Sequence, residues 1–153
     1  EIKVPTEVMP GGYFTGHIDR VTEYEKARPT LLVTRNKHLE TDDFKGEQAM
    51  IFSIKGKGLI ILSGCAHAGI VNTVKHAQRI TGIPIVHAVM GGFHLFDSTT
   101  EDVKKTVEDI KSINPQYVIP MHCTGYDAMV QFYREIPEQF VLSTAGSRFT
   151  FVA

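Results

Sequence analysis

The apolar positions of this chain fall into short continuous runs, broken by glycine, proline or small polar residues. Several of these runs pass directly into residues spaced as on a helix. The clearest is Gly58-Leu-Ile-Ile-Leu-Ser-Gly64, followed after Cys65-Ala-His67-Ala-Gly69 by Ile70, Val71, Val74 and Ala77 on one helical face. A strand-length apolar run that stops at glycine and gives way to a 3.6-residue repeat is the pattern of a parallel βα unit. It returns at Ile85–Leu95 and at Tyr117–Gly125, so the pattern predicts an α/β fold.

Smaller signals fill in the order of elements. Lys55-Gly56-Lys57-Gly58 between Ala49–Ile54 and Leu59–Leu62 predicts a hairpin. A helix is expected over Ile70–Thr81, ended by Gly82, then a strand over Ile85–Met90. Ser98-Thr-Thr-Glu101 reads as a capping box for a helix carrying Val103, Val107 and Ile110, which Asn114-Pro115 ends. Tyr117–Met121 is the next strand, and Thr124-Gly-Tyr-Asp127 reads as the cap of a helix carrying Met129, Phe132, Tyr133 and Ile136. Closing strands are expected near Phe140–Ser143 and Arg148–Val152. Residues 1–48 read as loops and short strands, with one strand at Leu31–Thr34 and a charged loop over Arg35–Gln48. Residues 49–153 form the hairpin and the strand–helix units, and residues 1–153 read as a single domain.

Composition narrows the function classes. A net charge of −1 gives no electrostatic case for a nucleic acid or an anionic membrane as partner. No apolar run approaches the roughly 20 residues that span a bilayer. Two cysteines, Cys65 and Cys123, are too few for a disulfide scaffold, and a cytoplasmic location with both as free thiols lining the site is expected.

Candidate chemistry lies in the histidines. His17, His38 and His76 fall in loops or on polar faces and read as surface residues, while His87 lies inside an apolar strand and reads as a hydrogen-bonded core residue. His67, His94 and His122 each follow an apolar strand beside small residues, where open α/β sheets gather their ligands. Neutral imidazole is a favoured ligand for zinc and related ions. The spacing alone leaves metal ligation and a structural role both open. There is no HExxH, CxxC, GxGxxG, phosphate-loop or G-x-S-x-G motif.

Three longer segments, Ser63-Gly-Cys-Ala-His-Ala-Gly-Ile-Val-Asn72, Gly91-Gly-Phe-His-Leu95 and Pro120-Met-His-Cys-Thr-Gly125, resemble the metallo-β-lactamase superfamily. More narrowly they resemble its branch of dihydropterin ribofuranosyl-aminobenzene phosphate synthase-like metal-dependent hydrolases. Thr15-Gly-His-Ile-Asp-Arg20 and the acidic stretch Asp42-Asp43 with Glu47-Gln48 resemble further segments of that branch. The resemblance implies the C-terminal portion of an αββα sandwich. It implies His67 and His122 as metal ligands and His94 as a catalytic residue or further ligand. Gly92, Ala68, Gly69 and Thr124 are implied at the substrate, with backbone amides at Ala68-Gly69 offered to an anionic group. The implied cofactor is zinc, or another divalent ion such as manganese or iron, with one or two ions in the complete enzyme. The implied reaction is attack of metal-activated water on a small, phosphorylated or pterin-like substrate.

The superfamily's H-x-H-x-D-H motif is absent, and His17-Ile-Asp19 is only a superficial echo of it. The expectation is therefore of a partial domain whose partner is the N-terminal part of the same enzyme. Two histidines alone should bind metal weakly or not at all, since a zinc site normally takes at least three protein ligands. An apolar sheet face should be left bare, favouring a homo-oligomer. The alternative from another class is a catalytically silent binding or assembly domain, without a complete metal site.

Overall fold

Among the described residues, eight strands and three α-helices follow one another in an order that places every strand end of interest on one rim. The computed structural model describes residues 2–152. The strands are β1 (Thr6–Met9), β2 (Gly12–Phe14), β3 (Leu32–Arg35), β4 (His38–Thr41), β5 (Ala49–Ile54), β6 (Gly58–Ser63), β7 (Val86–Gly92) and β8 (Tyr117–Met121). The helices are α1 (Ile70–Thr81), α2 (Thr100–Ile113) and α3 (Tyr126–Glu135). Six strands form one sheet in the order β1-β2-β5-β6-β7-β8, and β3 and β4 pair separately. The β1/β2, β2/β5 and β5/β6 pairs are antiparallel, whereas β6/β7 and β7/β8 are parallel.

The parallel half follows from its connections. Strands joined through a helix cross over with one hand, so β6-α1-β7-α2-β8, advancing in one direction, stacks both helices on one sheet face. Ile51, Ile61, Val89 and Val118 lie side by side across four strands and share one core with Val71 and Val74 of α1, Val107 and Ile110 of α2, and Phe132 of α3. Phe93, just after β7, meets Phe132 edge to face at 5.6 Å. Because side chains alternate along a strand, the neighbouring row points the other way. That row is Phe14, Met50, Leu62, Met90 and Ile119. It is apolar throughout, and Leu62 at its centre remains 36% exposed. Ile119 in that row is 1% exposed and Ile60, on the same face of β6, is 5% exposed, so the face expected to be bare is open only in part, around Leu62.

Several expectations need correction. The cap of α2 lies one residue later than read: Thr99 Oγ1 accepts from the Asp102 amide, while Ser98 Oγ is taken by Arg28. The α3 cap at Thr124 does not form, since Gly125 occupies the N-cap without a side-chain bond. The charged loop over residues 35–48 contains β4. The closing strands reduce to a parallel bridge between Val118 and Phe140, and no strand forms over residues 148–152. Phe151 instead packs edge-on against His87. His87 is half-buried between Phe151 and Tyr117 rather than hydrogen-bonded in the core.

His76 is a further correction, because it is 5% exposed rather than solvated. Its Nε2 lies 3.2 Å from the Thr15 carbonyl and its Nδ1 accepts from Arg79 at 2.9 Å. Burial holds its pKa below the ordinary value. The helical wheel was right about the face but could not show that residues 15–19 lie across it.

Helix α1 has no side-chain cap of its own, because Gly69 precedes it. The cap comes from the N-terminal segment. Glu25 accepts from the Val71 and Asn72 amides at 2.9 and 2.8 Å, and Asn72 Oδ1 accepts from the Val21 and Thr22 amides. A Cβ at Gly69 would overlap the Glu25 side chain, and Gly69 sits at φ 102°, so two constraints select glycine there. Burial raises the Glu25 pKa above the usual carboxylate range, and the two amides only partly oppose it.

Glu25→Ala should lower unfolding free energy by about 2 kcal/mol, as expected when charge-assisted bonds to helix amides are lost. A raised carboxylate pKa gives stability that is complete below the ordinary value of 4.5 and declines as pH rises through the raised value. Urea unfolding across that interval should show the decline in the wild type and a flatter profile in Glu25→Gln.

Candidate active site

The three histidines singled out in the sequence sit on three adjacent strand ends. His67 follows β6, His94 follows β7, and His122 follows β8 at the start of a 3-10 turn, His122–Thr124. The turns are tight: Ala66, His94 and His122 take φ of 57°, 48° and 51°, and Phe44 above them takes 52°. Left-handed backbone at non-glycine residues costs of order 1–3 kcal/mol each and collects at functional sites. Bonds between the loops offset it. Gly92 donates to the Gly64 carbonyl at 2.8 Å, and Leu95 and Phe96 both donate to the Cys123 carbonyl. Phe93 donates to Thr124 Oγ1, which donates in turn to the Met121 carbonyl at 2.7 Å.

Glu47 organises His67. One carboxylate oxygen accepts from the His67 amide at 2.7 Å and lies 2.8 Å from His67 Nδ1. The other accepts from the Ala68 amide at 2.6 Å. With Nδ1–H donating to the carboxylate, Nε2 keeps its lone pair. Phe44 stacks on the imidazole at 4.0 Å and 7°, and Arg20 donates to the His67 carbonyl and to the Asp43 carbonyl. Arg35 holds the Asp43 carboxyl down to about 2, steadying the acidic loop from outside.

His94 is held through its backbone. Arg28 donates to the His94 carbonyl at 2.7 Å and pairs with Asp97 at 2.5 Å. The ring leans on His67 at 4.4 Å between centroids. Both ring nitrogens are buried, and among the described residues neither has a hydrogen-bond partner. Burial first, then the neighbouring His67 and Arg28, lower its pKa. A neutral imidazole with both nitrogens unsatisfied is costly, at about 1–3 kcal/mol for each group left unmet.

His122 is exposed, and its Nδ1 lies 3.6 Å from Cys65 Sγ. Cys65, His122 and Cys123 bring one donor atom each within 4.8 Å of one another. Both cysteines are free thiols, as expected, and burial pushes Cys123 up to about 11.

The residues expected at the substrate fare differently. Gly69 lines a cavity of about 570 Å³ together with His67, His94, Arg28 and Asp102. Ala68 is 2% exposed and its amide is spent on Glu47. Of the two amides expected to receive an anion, that of Ala68 is held by Glu47 and that of Gly69 donates to the Ala66 carbonyl at 2.9 Å, while Glu25 takes the amides of Val71 and Asn72. Thr124 is fully buried and ties two loops together. Gly92 is buried, and a Cβ there would lie 2.7 Å from the Gly64 carbonyl oxygen and 2.8 Å from Cys123 Sγ, so the close packing of the β6 and β8 loops accounts for glycine. Glu47 was legible only as part of an acidic stretch. Arg28 and Glu25 had no signal at all.

The donors fit a divalent ion. Imidazoles and thiols suit a borderline-soft metal, not a hard one such as magnesium. His67 offers an oriented Nε2 and His94 two nitrogens in want of partners.

No family model matches the chain. It is 37% identical over 146 residues to the 7,8-dihydropterin-6-methyl-4-(β-D-ribofuranosyl)-aminobenzene-5′-phosphate synthase of Methanocaldococcus jannaschii, covering 93% of this chain and 49% of that protein. It is 30% identical over 132 residues to an uncharacterised protein of the same organism, covering 85% and 46%. The crystal structure of Tm1679, a metal-dependent hydrolase of the β-lactamase superfamily, superposes with a TM-score of 0.86 at 28% identity, covering 97% of this chain and 57% of that one. The chain thus spans about half the length of the curated relatives it matches.

Since its pKa is depressed, His94 should titrate below the ordinary histidine value of 6.5 in ring-resonance NMR. Its contribution to stability is present above 6.5 and is lost as pH falls through the depressed value. Replacement by asparagine, which tolerates the left-handed backbone, should remove that acid-side loss.

Proposed function

We propose that this chain, which shares fold and sequence with the metallo-β-lactamase superfamily, supplies one wall of a metal-dependent hydrolytic site. The observation that carries the reading is the Glu47–His67 pair beside the unsatisfied nitrogens of His94, opening on the 570 Å³ cavity. His67 and His122 would each ligate a divalent ion, a different one for each. A bound divalent ion supplies Lewis acidity and lowers the pKa of a coordinated water to about 7.

The chain's own residues then have distinct tasks. Glu47 fixes the His67 tautomer and ring direction through a 2.8 Å bond. His94, kept neutral by burial, can accept a proton at one nitrogen while donating from the other. Arg28 pins its carbonyl through a part-buried bond and so fixes the backbone that carries the ring. The cavity has the size of a small-molecule site, and its walls carry Arg28, Lys26 and Lys105 as well as Glu23, Asp97 and Asp102. Mixed charge of this kind suits a substrate with both an anionic group and hydrogen-bond donors. A phosphorylated, pterin-like molecule meets that description, in keeping with the named relative. That relative is named a synthase, so the same site could serve a condensation rather than a hydrolysis.

Further ligands would come from chain beyond these residues, given that the relatives are about twice as long. The same additional chain would cover the apolar row through Met50, Leu62 and Met90.

Protein expressed with any sequence its gene encodes upstream should hydrolyse a chromogenic phosphodiester in the presence of zinc or manganese and stop on chelation. Glu47→Ala should lower the rate 10–100-fold, the usual cost of losing a partner that orients a metal-bound histidine. Activity indifferent both to chelator and to His67→Ala would overturn the reading and favour a silent assembly domain. The 153 residues alone should sediment as a dimer or larger species, and a clean monomer would count against the covered face.

A further inference from the structure

We propose that Cys65 and Cys123 join His122 as a three-donor site for a thiophilic divalent ion, of which zinc is the model. The inference deepens the reading above, resting on His122 as a ligand, and adds two thiolates to it. Nothing in the sequence pairs these cysteines. They belong to loops 58 residues apart, brought together because β6 and β8 flank β7 in the sheet.

Coordination distances decide how well the donors fit. With Zn–S about 2.3 Å and Zn–N about 2.0 Å, a tetrahedral ion sets its S···N edge at about 3.5 Å and its S···S edge at about 3.8 Å. The Cys65 Sγ to His122 Nδ1 separation is 3.6 Å, the length of such an edge. The third donor lies within 4.8 Å of both, so Cys123 Sγ needs to move by no more than about 1.3 Å to complete both edges. Its present contacts are the weak ones of a thiol, a 3.5 Å contact to the Cys65 carbonyl and further contacts to the His94 backbone and the Cys65 thiol.

The surroundings prepare the cluster in two ways. Gly92 lies behind Cys123, where a Cβ would meet the Gly64 carbonyl oxygen at 2.7 Å and the sulfur at 2.8 Å, so the close approach of loop and thiol needs glycine. His122 is turned to the cluster by a left-handed backbone at φ 51° and is exposed, so an ion has a path from solvent. Two cysteines and one histidine leave a fourth position open, the arrangement of catalytic rather than closed structural zinc sites. This revises the expectation drawn from histidines alone. With three donors present, the chain itself should hold an ion. Binding converts both thiols to thiolates and releases their protons to solvent.

Cobalt(II), added anaerobically to the reduced protein, reads the thiolates directly through sulfur-to-metal charge-transfer absorption in the near ultraviolet. One equivalent should generate the band, and Cys65→Ser and Cys123→Ser should each diminish it severalfold, while His67→Ala leaves it in place. In case a serine variant fails to fold, zinc should slow modification of the wild-type thiols at least tenfold, and magnesium should not. A band that survives both serine variants, or thiols that react at the same rate with and without zinc, overturns the proposal. Loss of hydrolysis with the band intact would instead count against the hydrolytic reading and leave this site standing.

Discussion

A single carboxylate holds the candidate site together. Glu47 receives the His67 amide, the His67 imidazole and the Ala68 amide at 2.6–2.8 Å. It stands close to the N-terminus of α1, where the helix dipole favours an anion. The bond set therefore does three things at once: it satisfies two amides of the turn that leads into α1, fixes a tautomer and anchors the acidic loop to that turn. The loop in turn brings Phe44 onto the His67 ring. Glu25 does the equivalent for the Val71 and Asn72 amides in the first turn of the helix, so the N-terminus of α1 is neutralised by two residues that precede it by 20 or more positions. A substrate anion would have to displace them, which directs attention from the helix terminus to the cavity beside it.

The strand ends show where the cost of this arrangement is carried. Ala66, His94 and His122 are all left-handed, and each stays so because its neighbours are bonded across loops. The Cys123 carbonyl accepts from Leu95 and Phe96, and Thr124 fills the gap between Phe93 and Met121. Residues that looked like substrate contacts in the sequence are thus the bolts of the frame. Gly92 and Thr124 are small for reasons of packing, and the chemistry is left to the side chains they position.

Much of the fold was legible because it rests on local periodicity. Helix α1, β5 and β8 occupy the residues their patterns predict, and Gly82 closes α1 in the left-handed region. His67, His94 and His122 were legible for the same reason, since strand ends can be read from apolar runs. What escaped was long-range. His76 looks solvated on a wheel, yet residues 15–19 cover it. Arg28 reaches His94 across 66 positions and Glu25 reaches α1 across 46, and no spacing rule encodes such pairs. The closing strands failed for a different reason: a β-rich composition near residue 150 is no commitment to pair, and Phe151 found aromatic partners instead.

The two faces of the sheet carry the last step. The face toward the helices is filled by Ile51, Ile61, Val89 and Val118, while the opposite row of Phe14, Met50, Leu62, Met90 and Ile119 is equally apolar, with Leu62 36% exposed. Polar residues would normally alternate onto a solvated face of an antiparallel sheet, and here they do not. Apolar patterning on both faces belongs to a central layer, so the sheet is built to be covered twice. The curated relatives are about twice as long as this chain, and His94, whose buried nitrogens are unsatisfied, lines a cavity on the same rim. Packing and polar satisfaction therefore ask for the same thing, further protein above this sheet and further donors beside these histidines.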